Sequence, residues 1–517
     1  MTPDTVQYAR RWKTLGVLSL SLVIIGLDTT LLNEALPTLQ DEFDASPSSL
    51  QWMVDSYLLV LAGLLLVFGT LGDRFGRKLA LQSGVTIFGL ASLGALLADS
   101  AGQLIAVRAV MGVGAALIMP ATLSIIANLF TGSERGKAIG VWAALAAIGI
   151  GLGPLAGGLL LEWFDWSSVF LLNVPFAAVA LLLAIRYVPE SRDPEPGSFD
   201  LPGAALSTTG FTALVYAIIE APDKGWLSGV VVAGFVAAVI LLGAFFWWEV
   251  VCDEPMLDLG FFRHAAFSVG TAAVSVAFFG LMGGIFALTQ YLQFAHGYSA
   301  IEAGAVMTPV ALGLIMGAGS SSKAVYRLGI ARVVATGLTG LALLLALTLL
   351  WESDTGALTL VAWFFGLALA MDWIMAPATD AVVGAVSAAK SGVASATNTV
   401  ARMVAGALGV ALIGSLVSSL YSSDVEGSLG ALPPQAQAAA EGSIGAAGAI
   451  AAHLPPDPAS SLLATTGDAF TQAMGIGLSV AAALAAAMAV VVARFLPARE
   501  RPLPEADRES LELQPQN

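Results

Sequence analysis

The stretch TLGVLSLSLVIIGLDTTLLNEALP, Thr14–Pro37, is long and apolar enough to cross a bilayer as a single helix. Arg10, Arg11 and Lys13 precede it, an order that superficially resembles a secretory signal. The run is too long for one and equal runs follow, so an uncleaved first membrane helix is expected. Asp28 stands inside that helix, where a carboxylate costs about 2.5–3.5 kcal/mol on insertion scales. A chain keeps such a residue where it faces water, a partner or a moving ion. Asp28 is therefore the first candidate functional residue.

The rest of the chain repeats the pattern. Of 517 residues, 57% are hydrophobic and 11% charged, with a mean hydropathy of +0.83. A soluble domain carries about 25% charged residues, so this chain cannot cover a globular surface with polar groups. Apolar runs of spanning length fall at 14–37, 50–72, 79–98, 103–130, 136–161, 167–187, 201–220, 226–248, 265–294, 300–322, 331–352, 357–386, 392–420 and 470–494. If the N-terminus is cytoplasmic and sides alternate, nearly all of the 22 Lys and Arg fall on the cytoplasmic side. Lys224 falls outside, and Arg108 and Arg402 fall within helices. A miscounted helix would scramble this bias. The expectation is an all-α polytopic membrane protein of fourteen transmembrane helices with both termini inside. The net charge of −15 reflects acids concentrated in linkers and the C-terminal tail, and says little about partners. The one cysteine, Cys252, excludes an internal disulfide.

The linkers divide the chain into a cytoplasmic N-terminus (1–13), six helices (14–187), a segment with two inserted helices (188–264), six more helices (265–494) and a cytoplasmic tail (495–517). The loop at 421–468, rich in Ala, Gly, Ser and Pro, reads either as a disordered insertion or as a small helical hairpin over the outer mouth. Two related halves are suggested by Gly69…Asp73-Arg74-Phe75-Gly76-Arg77-Lys78 and its echo Gly319…Lys323…Arg327-Leu328-Gly329…Arg332. In the first, Gly69 and Gly76 permit close approach and a tight turn, while Asp73 is placed to cap the next helix or pair with an arginine. In the fifth run, Gly149, Gly153 and Gly157 recur at every fourth residue beside Pro154 and Gly158. That bare ridge serves either static packing or a movable seam between the halves.

These motifs resemble the Major Facilitator Superfamily, and within it the fourteen-helix drug:proton antiporter branch. GTLGDRFGRK (69–78) is similar to the superfamily's loop signature, and Leu104…Arg108…Gly112 to its fourth-helix motif, with Met111 where Gln is common. GIGLGPLAGG (149–158) resembles the antiporter motif of the fifth helix. LDTTLLNEALP (27–37) resembles the branch's first-helix motif, with Glu34 in place of a usually apolar residue. Phe170–Pro175 and Gly392…Asn398…Arg402…Gly409 also fit. The resemblance implies two six-helix bundles around a central cavity, opening alternately to the two sides. It also implies a functional acid near Asp55.

The charges within the membrane are then the mechanistic candidates. Asp28 lies about 13 Å from the Pro37 end and Arg108 about 8–10 Å below the same side, by helix rise. An ion pair between them is feasible, either static or with Asp28 as protonation site and Arg108 as its tuner. Asp55, beside Trp52 and Tyr57, is placed near the outer interface, as a solvated acid or a cation attractor. Glu34 is expected to reach the water of the outer vestibule. Asp372, a departure from the family's small apolar residue, lies mid-membrane beside Trp373, a pair suited to a lipophilic cation. Asp372 or Asp380 could instead pair with Arg402.

No phosphate-binding loop, metal cluster or catalytic constellation is present in the sequence, and an enzyme is not expected. The sequence reads as a monomeric exporter of amphipathic, cationic compounds, driven by the proton gradient of the cytoplasmic membrane without a cofactor. Its partners are small molecules, protons and lipid, not nucleic acid. A dedicated metabolite exporter, a nutrient symporter and a non-transporting receptor are the alternatives.

Overall fold

The computed structural model describes residues 5–130, 132–192, 200–252, 255, 257, 259–386, 391–429 and 432–497. Lys390, Arg499, Arg501 and Arg508 of the basic set, together with most of the tail, lie outside the described residues. The first half comprises α1 (Thr5–Phe43), α2 (Pro47–Phe75), α3 (Arg77–Ala95), α4 (Ala101–Leu129), α5 (Gly132–Trp163) and a broken sixth rod, α6 (Ser168–Leu171) and α7 (Asn173–Tyr187). The inserted pair is α8 (Leu201–Lys224) and α9 (Gly229–Val251). The second half comprises α10 (Ala265–Gln290), α11 (Ala300–Met307) running into α12 (Pro309–Leu328), α13 (Ile330–Leu347), α14 (Ala357–Gly384) and α15 (Ser391–Val425). The short α16 (Pro434–Gly442) and α17 (Ile444–Ala451) follow, then α18 (Pro456–Phe495).

Helix starts are marked by side chains that accept from the exposed first-turn amides, as Ser46, Ser100 and Ser228 do for Ser49, Gln103 and Val231. Ser299 and Glu302 form a reciprocal capping box at α11. Among the described residues, twelve helices have both the length and the apolar composition to cross a membrane. The other two expected spans, 79–98 and 136–161, are occupied by α3 and α5.

The two halves pack by one scheme. In the first, α1 lies on α5, α2 on α4, α3 on α4 and α7 on α3. In the second, α10 lies on α15, α12 on α14, α13 on α14 and α18 on α13. The corresponding joints share a backbone device. Gly76 (φ +128°) ends α2 and starts α3, and Gly329 (φ +83°) ends α12 and starts α13. Each amide donates back to a carbonyl four residues earlier, at 2.9 Å in both cases. A side chain is strained at such φ, and at Gly76 a Cβ would also stand 2.6 Å from Glu190 Oε1.

Three residue pairs hydrogen-bond between the halves among the described residues: Gln40 to Ser443, Gln293 to Glu34, and Ser415 to Gln51. All three lie toward the end of the molecule opposite the Gly76 joint, referred to below as the far end. The 421–468 segment is helical there. Its first residues continue α15, its last belong to α18, and α16–α17 form a hairpin between. Tyr421 Oη donates to Ala440 O at 2.7 Å and Ser422 Oγ to Glu441 O at 2.8 Å, fixing the hairpin to α15. The inserted pair is seated on the same seam, with α8 against both α2 and α15.

The glycine ridge of α5 packs as the first of its two readings has it, within one half. Gly149, Gly153 and Gly157 face α1 of their own half, against Val23, Thr30 and Glu34, and so do not form the seam. The adjacent face does: Gly151 meets Ala311, and Gly158 meets Ala300 and Ile301, across the halves. A Cβ built at Gly149 would lie 2.6 Å from Val23 O, and one at Gly151 would lie 2.9 Å from Ala311 Cα. Gly149→Leu is therefore expected to cost about 1–3 kcal/mol by overpacking, read as a lower unfolding temperature of the purified protein. Gly151→Leu is expected to part the seam, read as faster thiol labelling of cysteines placed at the far end.

Candidate functional site

Four helices bring their polar residues to one point inside the first half. Asp28 of α1 is 3% exposed and Arg108 of α4 is 1% exposed. Arg108 Nη1 lies 2.5 Å from Asp28 Oδ2. The other carboxylate oxygen accepts from Asn173 Nδ2 of α7 at 2.9 Å. Arg108 Nε donates to Met53 O of α2 at 3.1 Å, and the guanidinium lies 4.5 Å from the centre of the Tyr57 ring. Both charges are thus compensated by an ion pair, two further hydrogen bonds and a cation–π contact, as burial demands.

The surroundings are less satisfied. Asp55 is fully buried, with neither oxygen hydrogen-bonded, in place of the solvated position expected for it. Tyr57 Oη is likewise buried without a partner. Trp52 points instead to the inserted pair, where its Nε1 donates to Glu220 Oε1 at 3.3 Å, and Glu220 pairs with Lys224 at 2.8 Å. Glu34, expected to reach vestibule water, is completely buried. It is enclosed by Gly157 of α5 and by Gln293, whose amide donates to Glu34 O at 3.0 Å and to Oε2 at 3.4 Å.

In the second half, Asp372 of α14 is half-buried against Gly317 of α12, with its Oδ2 unpartnered. Trp373 Nε1 donates to Ser320 Oγ at 2.9 Å. Asp380 is exposed. Arg402 lies 5.1 Å from the Phe278 ring and makes no ion pair with either acid, so the expected alternatives of Asp372 or Asp380 as its partner do not hold.

The basic loop is built as a brace. Asp73 pairs with Arg77 at 2.6 Å and does not cap α3. Arg74 lies over Phe75 at 5.9 Å, Arg77 N donates to Ser191 O at 3.0 Å, and Lys78 Nζ donates to Ile185 O at 3.0 Å. Gly69 faces Pro120 of α4, where an added Cβ would make only an ordinary contact at 3.5 Å. Pro154 lies against Gly304 across the seam.

Asn173, Gln293 and Glu220 were not singled out from the sequence. Asn173 was legible as a lone amide after an apolar run. Gln293 depends on a π-helical turn, Tyr291–Ala295, that ends α10 and could not be read from periodicity.

Arg108→Ala would leave Asp28 as an unpaired buried charge and is expected to cost about 3–5 kcal/mol, whereas replacing both residues by Leu should recover most of that loss. Thermal unfolding of the parent, the Arg108→Ala protein and the Asp28→Leu/Arg108→Leu protein in one detergent measures it.

The model of the Major Facilitator Superfamily matches residues 18–410. The chain is 38% identical over 493 residues to the multidrug efflux pump LfrA of Mycolicibacterium smegmatis, covering 95% of this chain and 97% of that protein. It is 37% identical to the methyl viologen resistance protein SmvA of Salmonella typhimurium, covering 93% and 97%. The tetracenomycin C resistance and export protein of Streptomyces glaucescens is 32% identical, covering 95% and 92%. Among solved structures, a bacterial homologue of the human lysosomal transporter Spinster, inward-facing and unoccupied, superposes with a TM-score of 0.65 at 18% identity, covering 97% of this chain and 100% of that one. The likeness in sequence runs through both halves and the inserted pair. The chain belongs to the Major Facilitator Superfamily, and it is a multi-pass membrane transporter, not an enzyme, whose relatives are multidrug efflux and resistance proteins.

Proposed function

We propose that the protein exports amphipathic, cationic compounds across the cytoplasmic membrane in exchange for protons, with fourteen spans, both termini inside, and the monomer as working unit. The observation that carries the coupling is the buried contact of Asp28 with Arg108 and Asn173. A carboxylate held by a cation and an amide from other helices changes its partners whenever those helices move. Protonating it removes the attraction to Arg108, so proton occupancy and helix position are linked.

With the basic residues assigned to the cytoplasm, the cross-half hydrogen bonds close the outer side. The form described is then the one that loads substrate from inside. Protons arriving from outside would reach Asp28 after the seam opens, and substrate would leave by the same route. Asp55 is a second acid on that path. Asp372, half-buried with an unpartnered oxygen beside Trp373, is the carboxylate best suited to receive a cation in the second half. The relative that confers resistance to methyl viologen, itself a dication, favours cationic substrates. The relative that exports tetracenomycin C favours the second reading, a dedicated exporter of one compound.

Efflux of a cationic dye from energised cells or vesicles tests the proposal. A protonophore is expected to abolish export, and Asp28→Asn to abolish it without loss of protein from the membrane. Export that survives either treatment would remove proton coupling through Asp28. Growth of cells carrying the transporter against a panel of cationic and neutral toxic compounds separates the broad from the dedicated exporter.

A further inference from the structure

We propose that Glu34 and Gln293 form a proton-operated latch on the far-end seam: the neutral acid permits closure, and loss of its proton drives the two halves apart there. The inference rests on the proton-coupled reading and adds a second proton-handling residue to it, one that acts on the gate.

The geometry is specific. Glu34 belongs to α1 of the first half and Gln293 to the π-helical turn of the second. Within that turn one amide group of Gln293 donates to both the backbone and the side chain of Glu34. Glu34 has no exposed surface, Gly157 abuts its Cβ, and Oε1 has no hydrogen-bond partner. A full negative charge sealed here would have one long hydrogen bond and no counter-ion, a cost of several kcal/mol that a protein removes by taking up a proton or by admitting water. Water can enter only if the seam opens.

The groups around Glu34 do not supply a counter-charge. On α1, Asp28 is engaged with Arg108, while Asp41 and Glu42 lie beyond Glu34 toward the far end. On α2 the nearest ionisable groups are Asp55 and Tyr57, and on α4 it is Arg108, already paired. On α5, Glu162 is exposed past Gly157, and Glu134 pairs with Arg11 at the opposite end. From the segment between α10 and α11, Tyr291 donates to Glu352 O, His296 bonds Thr355 O and Tyr298 stacks on His296. On α11, Glu302 is held in its capping box. Neither α6 nor α17 carries an ionisable residue, and Arg186 and Tyr187 of α7 are at its distal end. Gln293 is the partner Glu34 has.

In the transport cycle the proton moves only between outside water and the Glu34 carboxyl. When the seam is open, Glu34 meets water and ionises; reprotonation allows reclosure. Closure of the outer gate would thereby require a proton from outside.

The test uses pulsed EPR on the full chain in lipid nanodiscs, without substrate or gradient. Cys252, the one native cysteine, is replaced by Ser, and spin labels are attached at Phe164→Cys and Leu358→Cys, two exposed far-end positions in different halves. Raising the pH from about 5 to about 8 is expected to shift the distance distribution of the parent to longer values as the acid ionises. Glu34→Gln is expected to remain at the short distance throughout. Gln293→Leu, which keeps the acid and removes its donor, is expected to raise the long-distance population at low pH. A Glu34→Gln protein that follows pH as the parent does, or a parent that does not respond, overturns the latch. The protonophore experiment and Asp28→Asn judge proton antiport separately, so failure of coupled transport leaves this readout intact.

Discussion

A carboxylate and a guanidinium can lie inside an apolar bundle only if each meets the other and the remaining hydrogen-bonding capacity is filled. In this chain that condition gathers four helices. Asp28 requires α1 at the height of Arg108 on α4, Asn173 sets the rotation of α7, and the Met53 carbonyl and Tyr57 ring bring in α2. The break between α6 and α7 at Leu172 lets Asn173 begin a helix at the right depth. The polar cluster thus organises the first half, while the second has no equivalent ion pair among the described residues. The repeated packing scheme is shared; the chemistry is concentrated on one side of it.

Helix α5 connects that half to the boundary with the second. One of its faces carries glycines that admit the α1 backbone, and the neighbouring face carries glycines that admit α11 and α12. Both contacts are close, but their consequences differ. The first joins elements of one bundle and is held by Thr30 Oγ1, which donates to Ile150 O at 3.0 Å. The second joins the two bundles through backbone contact with small residues, which packs well and involves few bonds that must be broken in sliding.

Much of this was readable from the sequence because a bilayer imposes simple rules. Runs of about twenty apolar residues and the sidedness of Lys and Arg place the rods, and every expected span contains a helix. The Asp28 and Arg108 depths follow from helix rise alone. Rotation about the helix axis was not readable, and it decides the rest. Glu34 and Asp55 stand near the ends of their apolar runs, where depth alone implies water, but α1 continues past Pro37 to Phe43 and α2 begins as early as Pro47, and both acids are turned inward and buried. The i, i+4 ridge of Gly149, Gly153 and Gly157 identified a contact but not its partner. The hairpin at α16–α17 has a composition compatible with disorder or helix, and only its bonds to Tyr421, Ser422 and Gln40 decide between them.

The inserted pair is tied into the boundary between the halves. Ile218 of α8 accepts from Ser415 Oγ at 2.9 Å, and Ser415 also bonds Gln51 at 3.3 Å, so one hydroxyl of α15 ties both α2 and α8. Trp52–Glu220 and the packing of Thr208 against Gly63 attach α8 to α2 along its length. A separation of α2 from α15 at the far end must therefore either break the Ile218 bond or carry α8 with one of them. Each neighbour holds α8 by one hydrogen bond, Trp52–Glu220 on the α2 side and Ser415–Ile218 on the α15 side, and the close packing of Thr208 against Gly63 adds to the first. α8 is thus the element through which the inserted pair joins the boundary between the two bundles, held on both sides of it.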